Sequence, residues 1–213
     1  MKNTKKSILL VGSMIMLSGC ASYNLDNMQK LSVRIEDETE ELVNEFNTLY
    51  DLETELLSTF ESDLDADQDL ATFNNNNAAV FENILNREEA LSSISDLNNN
   101  LIEHADFLAD YDSEELNPEE PQALSNQLTE LTDLIDNYTT DYKIALENQT
   151  TYFESLGKND ATAESFIDGI NNINNEHERL FEQSNQINEI FGETLSELES
   201  FKQTVDQTIA EGK

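Results

Sequence analysis

From Leu124 onward, one set of positions advances in alternating steps of four and three residues: Leu128, Leu131, Ile135, Tyr138, Tyr142, Ala145, Gln149, Tyr152 and Leu156. This is the a/d seam of a heptad repeat, which needs a long helix with a partner along one face. Only Gln149 breaks its apolar character. The same spacing returns from Phe166 through Ile170, Ile173, His177, Leu180, Ser184, Ile187, Phe191, Thr194, Leu198 and Phe201 to Val205. A helix over 161–209 would be about 70 Å long at 1.5 Å per residue.

Two earlier segments carry the pattern less evenly. One reads Val80, Ile84, Leu91, Ile94, Leu101, Ala105 and Leu108, with Arg87 and Asn98 on the same seam. The other reads Leu42, Phe46, Leu49, Leu56 and Phe60, with Leu52 beside the seam at Glu53. Connections are expected at an acidic, Asn-rich stretch over 61–77, at 112–120 around Pro118, and at 157–160. Gly157 suits a helix C-cap and Asn159 or Asp160 an N-cap for the next helix. With six glycines and two prolines in 213 residues, turns are few. The expected fold is therefore all-α: an elongated, antiparallel, up-and-down bundle of long, coiled-coil-like helices over 31–213.

The chain holds 11 basic and 45 acidic residues, a formal charge of -34. Three of the bases and none of the acids lie in residues 1–19, so the remainder carries eight bases against 45 acids, or -37. Such a surface excludes nucleic acid, whose binding depends on Lys and Arg displacing counterions. It would also be repelled by anionic headgroups, so charge does not hold the chain to a membrane.

Residues 1–19 read as an export signal: a basic head (Lys2, Lys5, Lys6), an apolar run from Ile8 to Leu17, then Ser18 and Gly19. The apolar run is too short for a permanent span. Cys20 follows, the one cysteine of the chain, so no internal disulfide is available. Leu17-Ser18-Gly19-Cys20 resembles the lipobox of bacterial lipoproteins. That resemblance implies cleavage between Gly19 and Cys20, a diacylglyceryl group on the thiol, and acyl chains such as palmitate as the membrane anchor. Two chains at about 0.8 kcal/mol per buried methylene anchor durably, where one is marginal. Residues 20–30, polar and without periodicity, would form a lipidated tether on the outer face of the cytoplasmic membrane.

Catalytic signals are weak. Asp63, Asp65, Asp67 and Asp69 alternate as a calcium loop begins, but an EF-hand needs Gly and Glu where Gln68 and Asn74 stand. A solvated acidic turn is the expectation. His104, near the outer edge of its helix, and His177, on an apolar seam, each lack a partner at metal-binding spacing; a packed or boundary histidine is expected. Tyr138, Tyr142 and Tyr152 lie on the seam and read as core, whereas Phe153, beside it, reads as an exposed contact. No carboxylate pair stands in a cleft-forming pattern for wall hydrolysis. No cofactor and no enzyme activity is expected.

Asn86-Arg87-Glu88, the block YTTDYKIALENQTTYFESLGKNDATAESFIDGINNIN from Tyr138, and the Leu-Ser-Gly-Cys leader together resemble the YkyA-type cell-wall-binding lipoproteins of low-GC Gram-positive bacteria. The resemblance implies a non-catalytic helical bundle anchored at the membrane, beneath or within the wall, with peptidoglycan as partner. Typical members are lysine-rich along these helices, where this chain has Asn, Asp, Glu or Thr. A charge of -37 would therefore be repelled by anionic teichoic acid unless divalent ions bridge the two. The alternative is a helical adaptor or regulator that pairs its stripe with a helix of another envelope protein.

Overall fold

In a computed structural model, residues 24–158 and 161–212 are described. The leader over 1–19, the Gly19/Cys20 cleavage and lipidation site, and Asn159 and Asp160 lie outside the described residues. Five helices follow in order: α1 (Leu25–Ala66), α2 (Ala71–Asn74), α3 (Ala79–Ala109), α4 (Glu119–Leu156) and α5 (Ala163–Glu211). No strand occurs among the described residues. The all-α, up-and-down bundle expected from the heptads is what forms.

The four long helices close a ring, α1 packing on α3, α3 on α4, α4 on α5 and α5 back on α1. Cross-links fix each pair as antiparallel, α4 and α5 through Asn148 to Glu176 and Arg179 to Asp141. Asn83 Nδ2 donates to the Leu52 carbonyl at 2.7 Å, and His104 Nε2 lies 2.8 Å from Glu38 Oε2. Ser125 Oγ donates to the Ala105 carbonyl, and Gln29 to Asp206. Every residue of the α4 seam is buried, Gln149 included. So is every seam residue of α3, with Arg87 and Asn98.

Helix ends are satisfied by local chemistry. Asn24 caps α1, its side chain accepting from Asn27 N at 2.9 Å. Met28, beyond it, is fully buried. The helix thus begins inside the segment expected as a 20–30 tether, because Met28 and Leu31 reach the core that the unperiodic reading of the sequence missed. The α5 cap is Thr162, not Asn159 or Asp160: Thr162 and Ser165 exchange side-chain and backbone bonds in a capping box.

The 61–77 connection is shorter than expected. α1 continues to Ala66, and the four-residue α2 is a turn that the sequence reading did not anticipate. Its Phe73 is fully buried and stacks edge-on to Phe60, with centroids 6.0 Å apart. Phe81 and Phe153 join them, plugging the end of the bundle at the α2 turn with aromatic rings. Gly157 ends α4 with φ of -78°, so its role is not a left-handed cap. A Cβ there would lie 2.4 Å from the Asn74 backbone nitrogen, so glycine lets α2 lie directly against the end of α4.

Candidate functional site

Two polar breaks in two different seams meet inside the bundle. Arg87 on α3, with no exposed surface, donates from Nη2 to Gln149 Oε1 on α4 at 2.7 Å and from Nη1 to the Tyr142 hydroxyl at 3.4 Å. The Gln149 that interrupts the α4 heptad is the acceptor for the arginine that interrupts the α3 heptad. Asn98 is buried likewise, donating to the Thr132 carbonyl at 3.1 Å and to Asp136 Oδ1 at 2.9 Å. Burial pushes the Tyr142 phenol up to about 12, partly offset by Arg87, and pushes Tyr138 up as well. These groups set helix register, and Tyr138 and Gln149 also line the cavities between α1 and α5.

Around the ring, the joint between α1 and α5 is the open one. Near one end Lys202 pairs with Glu36, and near the other Phe166 stacks on Phe60 with centroids 6.1 Å apart. Between them the two helices leave gaps. Phe166 and His177 of the α5 seam are exposed, and Ile170, Ile173 and Ser184 are half-buried, while Leu180 and most of the seam beyond it are covered. Two cavities of about 270 and 370 Å³ follow this joint, with Tyr50, Glu53 and His177 lining both. Glu53 Oε1 and His177 Nδ1 meet at 2.9 Å and bridge the groove.

The groove walls carry apolar groups in solvent. Tyr50 is 58% exposed, Leu57 65% and Phe181 53%. His177 lies against Phe181, with ring centroids 6.4 Å apart. Polar lining comes from neutral side chains, among them Asn47, Ser184, Asn185 and Asn188, with Glu53 the carboxylate. Such a wall can hold a flat or apolar face and donate hydrogen bonds around it. It offers no excess of cations for a phosphate.

The residues singled out in the sequence fall elsewhere or in other roles. Asp63 accepts from Ala79 N at 3.0 Å and Val80 N at 2.9 Å, capping α3 from the end of α1. Asp67 accepts from the amide and hydroxyl of Thr72 at 2.6 and 2.8 Å, and those bonds, the amide first, lower its pKa. Two of the four alternating acids therefore hold the turn together. Among the described residues, no three His, Cys, Asp or Glu side chains gather as a metal site. The histidines exchange environments relative to expectation: His104 is buried beside Glu38, while His177, on the seam by spacing, is exposed where it lines the groove.

Phe153 is a correction of the opposite kind. It is 1% exposed, set 5.2 Å from the Phe60 ring and in contact with Phe81. Phe60 of α1 and Phe81 of α3 pack on the side of α4 that spacing alone leaves outside the seam. Tyr138, Tyr142 and Tyr152 are core residues as their spacing implied. The groove itself was missed, although a signal existed: Val43, Tyr50 and Leu57 recur every seven residues, each one position after a seam residue.

No helix among the described residues is long and apolar enough to cross a membrane. No curated protein and no solved structure matches the chain. The YkyA family, described as "Putative cell-wall binding lipoprotein", matches residues 24–204. The match begins at the Asn24 cap, runs through α1 to α4 and takes in most of α5, and on that extent the chain belongs to the YkyA family.

Proposed function

We propose that the chain is a non-catalytic lipoprotein, held at the outer face of the cytoplasmic membrane by acyl chains on Cys20, whose bundle contacts the cell wall or stands as a spacer beneath it. The observation that carries this reading is the family match over 24–204, which joins a wall-binding, lipoprotein description to the whole bundle. The lipobox-like Leu17-Ser18-Gly19-Cys20 supports the anchor, with cleavage before Cys20.

Neutral amides and exposed aromatic faces in the α1/α5 groove are compatible with wall glycan, which a surface of this charge would approach without help from cations. Titratable groups in the bundle act structurally: Arg87 on Gln149, Asp63 on the α3 amides, His104 on Glu38. The anchor is tested by Cys20→Ala, which should move the protein from the membrane to the soluble fraction and abolish incorporation of labelled palmitate. Wall contact is tested by co-sedimentation with isolated peptidoglycan across a range of salt concentrations.

A further inference from the structure

We propose that the α1/α5 groove is the seat of a fifth helix: an amphipathic helix of another extracytoplasmic protein, with a heptad-spaced apolar stripe flanked by Lys and Arg. It gives to a protein helix the groove that wall glycan would otherwise use, so the two compete for one site, and it stands if wall contact fails. The first observation is register. On α1 the exposed Val43, Tyr50 and Leu57 are spaced by seven. On α5 the exposed positions 167, 174, 181, 188 and 195 are spaced by seven as well, reading Ile, Asn, Phe, Asn, Leu. Val43, Tyr50, Phe181 and Asn188 line one cavity of the groove, and Tyr50, Leu57 and Asn174 the other.

Two stripes of period seven facing one gap between antiparallel helices are the walls that a coiled-coil partner needs. An exposed apolar residue alone means nothing, but Val43, Tyr50 and Leu57 of α1 and Phe181 of α5 line two cavities that share Tyr50 and so form one surface. From Val43 to Leu57 the rise is about 21 Å, or about four helical turns. Asn174 and Asn188, polar within an apolar stripe, would fix the register of the incoming helix by hydrogen bonding to it.

The second observation is charge. Beside the stripes stand the exposed Glu40 and Asp51 on α1 and Glu178, Glu182 and Glu189 on α5. The exposed cation close by, Arg179, is already paired with Asp141. A second copy of this chain would bring the same acids into contact, and an acidic helix would be repelled likewise. A helix flanked by Lys and Arg instead meets opposite charge along both edges.

The test uses the full chain in zwitterionic nanodiscs and two fluorescent peptides of about three heptads sharing one Leu/Ile stripe, one flanked by Lys and the other by Glu. Anisotropy should show that the Lys-flanked peptide binds, weakens as salt is raised, and loses at least tenfold in affinity with Tyr50→Asp or Phe181→Asp. Ile144→Asp, at an exposed residue of α4 that lines neither cavity, should leave binding unchanged, and all three variants should retain full helicity. No binding, equal binding of the Glu-flanked peptide, or insensitivity to both groove substitutions overturns the proposal. So does competition by chitotetraose, which would assign the groove to glycan, or dimerisation of the chain that Phe181→Asp abolishes.

Discussion

Arg87 and Gln149 form a buried hydrogen bond across α3 and α4, with Nη2 donating to Oε1 at 2.7 Å. Each interrupts the apolar seam of its own helix, and each is the other's reason for being there. No carboxylate lies within ion-pair distance of the guanidinium among the described residues, so a neutral amide and the Tyr142 hydroxyl are its partners. Gln149→Leu should therefore destabilise the bundle by about 3 kcal/mol, because it strands a buried charge. Arg87→Met combined with Gln149→Leu should recover most of that loss, since both polar groups are then gone. Urea unfolding followed by circular dichroism checks the cycle; additive losses in the double variant would show that the pair is not coupled.

Gly169 lets the Tyr152 ring lie against the backbone of α5. A Cβ at 169 would fall 2.0 Å from the ring, whose hydroxyl donates to the Phe166 carbonyl at 3.2 Å. Gly169→Ala should thus cost about 1–3 kcal/mol through overpacking, although alanine is the better helix former. Lower thermal stability with a weakened near-ultraviolet tyrosine signal is expected. A rise in stability would mean that helix propensity outweighs the contact.

Asp63 serves α3 as a cap delivered from another helix, since Ala78 at the N-cap has no side-chain oxygen to offer. Asp63→Ala should cost about 1 kcal/mol, the usual worth of a cap. Calcium should leave the unfolding midpoint unchanged, because Asp63 and Asp67 direct their oxygens at amides and a hydroxyl. A calcium-dependent rise in the midpoint that Asp63→Ala removes would contradict this assignment.

High pH should unfold the bundle. Burial raises Tyr142 and Tyr152 to about 12 from the ordinary value near 10, and Tyr138 is raised by burial too. Above pH 10 the unfolded chain gives up these phenolic protons while the folded chain keeps them. The stabilisation is therefore complete below about pH 10 and is lost as pH climbs through about 12. Absorbance at 295 nm should show the buried phenols titrating above pH 10, together with loss of helicity. Titration of every tyrosine near pH 10 with helicity intact would refute their burial.

The seam residues of α3 and α4 were legible in the sequence because both helices are surrounded by neighbours, and an apolar position every 3.5 residues has one meaning there. Legibility declined where contacts come from elsewhere in the chain. Nothing near Phe153 announces that Phe60 and Phe81 will pack on it, and nothing near Ala78 announces that Asp63 will cap the next helix. His177 obeys the heptad and is still exposed, because spacing on α5 cannot reveal the cavities that open beside it. The groove was half legible: the seven-residue recurrence of Val43, Tyr50 and Leu57 is in the sequence, but only the gap between α1 and α5 gives it a purpose.

Co-sedimentation of the full chain with purified peptidoglycan, stripped of teichoic acid, tests wall contact by this YkyA-family bundle most directly. The account expects a saturable fraction in the pellet that persists as salt is raised, because neutral amides and aromatic faces, not cations, would make the contact. A chain that stays in the supernatant at every salt concentration would contradict wall binding and leave the bundle as a spacer or as a partner for another protein.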